Sequence, residues 1–239
     1  MPALSVIIPA LNEEGELPET IKRARVIPEV KEIIVVDAGS TDDTQAIARE
    51  HNCIVLECEP NRGKQLRLGA QRASGDVVLL LHADTWLPKN AGAVIAETLA
   101  RPLVVAGGFY KRFRDGGALP GSRLRCWLLW ALTNRLFGDQ AIFVKRAVLE
   151  QCGGVPGVPL MEEFELCKTL APHGRIALAS ATVLTSARKF RVHGALKTYW
   201  RMVRCITSYA LGASPQRLAK IYYGKNPDAH NIQDEKLLS

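Results

Sequence analysis

At 239 residues, with 47% hydrophobic and 23% charged side chains, the chain can form one large α/β domain or two small ones, and its composition excludes a disordered or collagen-like protein. A formal net charge of +7 favours an anionic partner, but the cations form no run of the nucleic-acid type, so nucleic acid is not expected as a partner. Six cysteines without a C-x-x-C pair point to neither a zinc knuckle nor a secreted disulfide framework. No signal-like segment opens the chain and no apolar run approaches the ~20 residues of a spanning helix, so a cytoplasmic location is expected.

Taken in chain order, Leu4 to Ile8 is a β-branched run ending at Pro9, the pattern of a strand buried on both faces. Asn12 offers an N-cap for a helix with Glu13, Glu14 and Glu16 in its first turn and Leu17, Ile21 and Ala24 on one face. Glu32 to Val36 is a second strand, closed by Asp37 and the turn Ala38-Gly39-Ser40 before a helix over Thr41 to Glu50. A third strand, Cys53 to Leu56, leads to a helix over Asn61 to Ala73. Asp76 to Leu81 is a fourth and very apolar strand.

Strands alternating with amphipathic helices imply right-handed crossovers and a mostly parallel, doubly wound Rossmann-like sheet with helices on both faces. Ligands in such sheets bind beyond the C-terminal strand ends. The second half is less regular. It offers strands over Val104 to Phe113 and Ala141 to Lys145, a Gly/Pro-rich loop from Arg114 to Gly121, and helices over Ser122 to Leu136, Met161 to Leu170 and Ala195 to Leu211. Ser214-Pro215 opens one more helix as N-cap and N1, and the charged stretch from Lys225 onward is expected to be a mobile tail.

Asp37, Asp84 and the pair Glu162-Glu163 are the acidic positions that this topology would bring to one site. Each also has a plainer reading, as a cap, a turn former or a first-turn partner of the helix dipole. His82-Ala83-Asp84 leaves the fourth strand with two potential metal ligands. Magnesium would use the Asp84 oxygen together with water and a diphosphate, whereas the imidazole of His82 suits manganese better. Lys64 faces a phosphate or is a solvated helix charge, and Asp139-Gln140 contacts a substrate or forms a strand-entry turn.

Three pieces in this order, Val6-Ile7-Ile8-Pro9-Ala10-Leu11-Asn12-Glu13-Glu14, Val35-Val36-Asp37-Ala38-Gly39-Ser40-Thr41-Asp42-Asp43-Thr44, and Gly75-Asp76 through His82-Ala83-Asp84-Thr85, resemble the family 2 glycosyltransferases of the GT-A fold. Gly138-Asp139-Gln140, Pro159 to Leu166 and Thr185-Ser186-Ala187-Arg188 extend the resemblance, most closely to the bacterial radical-SAM/selenodomain-associated transferases.

The resemblance implies a single GT-A domain over 1–224, with a nucleotide-sugar half (1–100), an acceptor half (101–194) and C-terminal helices (195–224), followed by the tail at 225–239. It implies that Pro9, Ala10, Asn12, Glu13, Asp37, Lys64, Asp84 and Arg188 serve a UDP- or GDP-sugar. Asp84 would hold Mg2+ or Mn2+, with His82 standing where the family's D-x-D element has its first aspartate. Glu163 or Glu162 would be the base of an inverting transfer to a hydroxyl acceptor contacted by Asp139 and Gln140. A non-catalytic nucleotide- or membrane-binding module and a sugar-1-phosphate nucleotidyltransferase remain as alternatives, although the latter's glycine-rich N-terminal signature is missing.

Trp127, Leu128, Trp130, Leu132 and Leu136, and later Tyr199, Trp200, Met202, Val203, Ile206 and Tyr209, form apolar helical stripes with basic neighbours. Core packing or a homodimer contact is the favoured reading. Peripheral contact with the inner membrane, serving a lipid-linked acceptor, is the other.

Overall fold

The structure is a computed structural model that describes residues 1–115 and 118–223. The expected tail at 225–239 and part of the loop after Arg114 lie outside the described residues. Eight strands form one sheet in the order β3-β2-β1-β4-β7-β6-β8-β5. They are β1 (Leu4–Ala10), β2 (Val30–Asp37), β3 (Ile54–Glu57), β4 (Val77–Leu80), β5 (Thr85–Trp86), β6 (Val104–Phe113), β7 (Ile142–Lys145) and β8 (Arg175–Thr185). The first four strands pair in parallel, as the β-branched runs predict, and β6 pairs in parallel with β8. β7 runs antiparallel between β4 and β6, and β5 runs antiparallel to β8.

Alternate residues of the strands feed two cores, one on each face of the sheet. Leu4, Val6 and Ile8 pack with α1 (Leu17–Arg25), α2 (Thr44–Glu50) and α4 (Ala91–Ala100). Ile7, Ile34 and Val78 pack with α3 (Arg62–Arg72), α6 (Arg146–Gln151) and α7 (Glu162–Leu170). This two-sided burial is what continuous apolar strands require. A third, smaller cluster joins Phe164 of α7 to Leu129 of α5 (Ser122–Thr133), Ile206 of α9 (Ala195–Ala210) and Leu218 of α10 (Pro215–Tyr223). The short helix α8 (Arg188–His193) links β8 to α9.

The helix expected from Asn12 begins five residues later, at Leu17. Asn12 takes a left-handed backbone (φ 51°), and its side chain accepts a hydrogen bond from the Thr41 amide at 2.8 Å. Glu13 and Glu14 also lie in this loop, and their amides donate to Thr44 Oγ1 and Asp42 Oδ2. These residues therefore tie the β1 loop to the β2 loop instead of starting a helix. β8, α4, α6, α8 and the short β5 were not foreseen from the sequence. β8 opens and closes on polar residues, and α6 and α8 are too short for a helical period to emerge.

Candidate functional site

The topology brings several loops to one edge of the sheet. β1, β4, β6 and β8 all end there, and the antiparallel β7 begins there. Beyond this edge lies a cleft of about 330 Å3. Pro9, Asn12 and Glu13 line it after β1, His82 and Asp84 after β4, Gly138 and Asp139 before β7, Glu163 at the start of α7, and Arg188 after β8. Asn12, Ala141 and Met161, in three of these loops, hold left-handed backbone at φ 51°, 48° and 63° without being glycine. Such strain, on the order of 1–3 kcal/mol per residue, concentrates at functional sites.

Asp84 is half-buried, and among the described residues its Oδ1 is approached by the hydroxyls of Thr85 at 3.2 Å and Thr185 at 3.5 Å. Burial raises its pKa despite the attraction of Arg188. Glu13 forms a paired contact with Arg188 Nη2, its Oε1 at 3.0 Å and Oε2 at 2.9 Å. Burial pushes the Glu13 carboxyl up to about 7, Arg188 pulls it down, and Asp84 adds to the rise.

Across the cleft, Glu163 stands with its Oε1 4.0 Å from His82 Nε2. Burial, with the adjacent Glu162 carboxylate, raises the Glu163 pKa to about 8. Burial, with the Arg62 cation, lowers that of His82 to about 3. His82 is therefore neutral, the contact is not an ion pair, and Nε2 is a buried atom without a hydrogen-bond partner. Asp139 pairs with Lys111, and its Oδ1 is also buried and unpartnered. Burial pushes the Asp139 carboxyl up, and the Lys111 ammonium more than reverses the shift.

Two glycines permit this closeness. A Cβ on Gly138 would meet Glu163 Oε1 at 2.0 Å and His82 Nε2 at 2.6 Å. A Cβ on Gly63 would meet the carbonyl oxygens of Val158 at 2.4 Å and Pro156 at 2.7 Å, so its absence lets the loop before α7 lie on the start of α3.

Other expected residues fall outside the cleft lining. Asp37 is 0% exposed. It accepts from the Gly39 and Ser40 amides and from Gln45 Nε2 at 2.8–2.9 Å, and also from Ser40 Oγ. It is a turn former outside the cleft lining, linked to the cleft residue Asn12 through Ser40 Oγ. Gln140 is likewise 0% exposed, bonded to Phe109 O at 3.0 Å and Phe137 N at 2.8 Å. Ala10 is buried at the end of β1, where its carbonyl accepts from Gln65 and Ala38. Glu162 is buried behind the wall, 3.7 Å from Arg62 Nε. Lys64 points outward to Glu59 at 3.2 Å. Among the described residues no group of three or more His, Cys, Asp or Glu is placed to hold a metal by itself.

A family model described as Glycosyl transferase family 2 matches residues 5–152. The chain belongs to this family. It is 32% identical over 124 residues to an undecaprenyl-phosphate 4-deoxy-4-formamido-L-arabinose transferase of Pseudomonas paraeruginosa, across 47% of this chain and 37% of the relative. It is 30% identical over 126 residues to a glucosyl-3-phosphoglycerate synthase of Mycobacterium tuberculosis, across 46% of this chain and 38% of the relative. The matches thus span well under half of these relatives' length.

Among solved structures, the mannosyltransferase PcManGT of Pyrobaculum calidifontis, in complex with GDP-Man and Mn2+, superposes with a TM-score of 0.65 at 20% identity. That match covers 99% of this chain and 72% of the other. Glucosyl-3-phosphoglycerate synthase of M. tuberculosis with Mn2+, UDP and glucosyl-3-phosphoglycerate gives 0.57 at 24% identity, over 77% and 71% of the two chains. At these identities the likeness establishes the fold, a GT-A-like α/β domain.

This family 2 domain also lines its cleft with residues that the sequence did not single out, namely Arg62, Lys189, Phe137 and Phe190. Arg62 and Lys64 differ by about 200° around a helix, so only one of them can face the cleft. The register that decides between them was not visible before Gly63 was seen against the Pro156–Val158 backbone.

Proposed function

We propose that the chain transfers a glycosyl group from a nucleoside-diphosphate sugar, UDP- or GDP-linked, to an acceptor hydroxyl with inversion at the anomeric carbon. The reading rests on one observation: Asp84 and Glu163, distant in sequence, line a common cleft, and both are held there with raised pKa values. Titratable groups perturbed by burial within a cleft are the usual mark of a reactive centre.

Glu163 is the base. Its carboxylate takes the proton of the acceptor hydroxyl as that oxygen bonds to the anomeric carbon and the bond to the nucleoside diphosphate breaks. The place of Glu162, 3.7 Å from Arg62 Nε and outside the cleft lining, favours Glu163 for this role. Arg188, Lys189 and Arg62 supply cations for the charge that builds on the leaving phosphate. Pro9, Asn12 and Glu13 border the donor, and Asp139 borders the acceptor.

The residues fit a divalent cation, Mn2+ or Mg2+, of the kind that keeps most of its ligands from water and substrate. The Asp84 carboxylate has only weak hydroxyl partners, and the buried His82 Nε2 has none. Bound on the diphosphate, such an ion neutralises the leaving group. Mn2+ in two fold neighbours favours this choice. The Gly138-Asp139-Gln140 and Thr185 to Arg188 pieces favour the radical-SAM/selenodomain-associated subgroup. The undecaprenyl-phosphate transferase among the relatives favours a lipid-linked acceptor.

Calorimetry with UDP- and GDP-sugars, with and without Mn2+, tests the reading. Mn2+ should tighten donor binding in the wild type and leave it unchanged in Asp84→Ala. NMR of a product made from an α-linked donor should show the β anomer. Absence of binding to any nucleoside diphosphate would remove the basis of the proposal.

A further inference from the structure

Apolar exposure and positive charge coincide in two segments whose own sequence contains no carboxylate, although Arg188 and Arg191 are paired with Glu13 and Asp115 from outside them. Residues 188–223 contain eight Lys or Arg and no Asp or Glu, a formal charge of +8 in a chain whose total is +7. Residues 116–138 add three Arg, again without a carboxylate. Of the thirteen exposed large hydrophobic side chains among the described residues, ten lie between Leu119 and Ile221, on or beside the helices of these two segments.

The two segments meet along a seam. Arg125 of α5 donates to Tyr199 Oη of α9 at 3.0 Å, and Leu129 and Ile206 share a core cluster. Leu124, Leu128 and Leu132 recur at fourfold spacing on the flank of α5 next to the seam. Leu196, Trp200 and Val203, spaced by four and then three, form a matching stripe on α9. These six are 41–81% exposed. Packing, the bland expectation for such stripes, accounts for Leu136 and much of Trp130 but not for them. Along the outer rim of α9, Lys197, Arg201 and Arg204 line a second cavity of about 330 Å3 with Trp200 and Tyr222.

We infer that the α5–α9 face docks on the surface of an anionic lipid bilayer. Leucines and Trp200 would enter the headgroup boundary, and Lys197, Arg201 and Arg204 would meet lipid phosphates. Trp beside cations and without carboxylates is the composition such a boundary selects. A second copy of the chain fits poorly, because a twofold contact would set Lys197, Arg201 and Arg204 against their own copies. Among the described residues no helix is long and apolar enough to cross a membrane, so the contact is made along the surface. Tyr222 lines both the cationic cavity and the cleft, which places the docked face next to the cleft wall. The inference does not depend on the reaction proposed above.

Co-sedimentation of the full chain with phosphatidylcholine vesicles, with and without phosphatidylglycerol, tests it. Pelleting is expected only with phosphatidylglycerol, weakened by salt and accompanied by a blue shift of tryptophan emission. Lys197→Gln/Arg204→Gln should lower partitioning about thirtyfold, at ~1 kcal/mol per cation. Leu196→Ser/Trp200→Ser, at exposed positions that leave the fold intact, should abolish the blue shift assigned to Trp200. Failure to pellet with anionic vesicles would overturn the inference. So would pelleting that these substitutions leave unchanged, retention on RNA without vesicle binding, or a dimer in sedimentation equilibrium that Leu196→Ser/Trp200→Ser dissociates.

Discussion

Asp37 and Asp84 stand at corresponding places, Asp37 at the end of β2 and Asp84 just past the end of β4, on the same edge of one sheet, yet their surroundings are opposite. The backbone amides of its own turn and the Gln45 side chain saturate Asp37. Asp84 has two long hydroxyl contacts and opens on the cleft. A carboxylate whose acceptor capacity is filled by the protein is part of the scaffold. One left with free capacity in a cleft can take up a ligand. The contrast extends to the loops themselves. The β1 and β2 loops are laced together by Asn12, Glu13, Glu14 and Asp42, whereas the opposite wall keeps His82 Nε2 and Asp139 Oδ1 unpaired.

The largest expected effect comes from the unsaturated side. Glu163→Gln keeps the shape of the wall and removes the base, so kcat should fall by about 10^2–10^4 with donor affinity retained. A fall in donor binding with unchanged kcat would move Glu163 out of the reaction. In the wild type, kcat/KM should rise with pH through about 8 as the Glu163 carboxylate forms; a profile flat across that value would assign the base elsewhere. Gly138→Ala should act in the same direction with a smaller effect, roughly tenfold on kcat, because the new Cβ would displace the Glu163 carboxylate and the His82 ring.

The two aspartates should then part company. Asp37→Ala strands the amides of Gly39 and Ser40 and should cost about 1–3 kcal/mol of stability, read as a lower denaturant midpoint. Asp84→Ala should leave the midpoint unchanged or raised, because a desolvated carboxyl with a raised pKa is not a stabilising element at neutral pH. If both variants lose equal stability, Asp84 is scaffold too.

What the sequence disclosed follows the same division. Strands buried on both faces announce themselves as apolar runs, so β1, β2 and β4 were legible, and with them the edge where the cleft lies. Asp84 and the pair Glu162-Glu163 were picked out by motifs that resemble a family, and the family model covers Asp84 but ends at residue 152, before the pair. Asp37 sits in an equally specific motif. Its side chain nevertheless ends in a turn, because whether a carboxylate points to its own backbone or to a cleft depends on two or three torsions that spacing does not encode. Arg62 was missed for a related reason, since helix register decides which of Arg62 and Lys64 faces inward.

The smallest effect is also the most direct test of the cleft's electrostatics. With a folded pKa near 8 and an unfolded value near 4.5, Glu163 binds a proton in the native state over a window where the unfolded chain has released it. Its contribution is complete below the unfolded value and is lost as pH rises through the folded one. Gln at this position is uncharged at every pH, so Glu163→Gln should match the wild type in thermal midpoint below about pH 4.5, exceed it by a margin that grows as pH rises from there, and keep a constant lead above about pH 8. The gain should be about 2–4 °C for each kcal/mol of burial strain relieved. A midpoint that falls at alkaline pH would mean that Arg62 stabilises the ionised carboxylate more than burial opposes it, and the base would then be ionised, and active, well below pH 8.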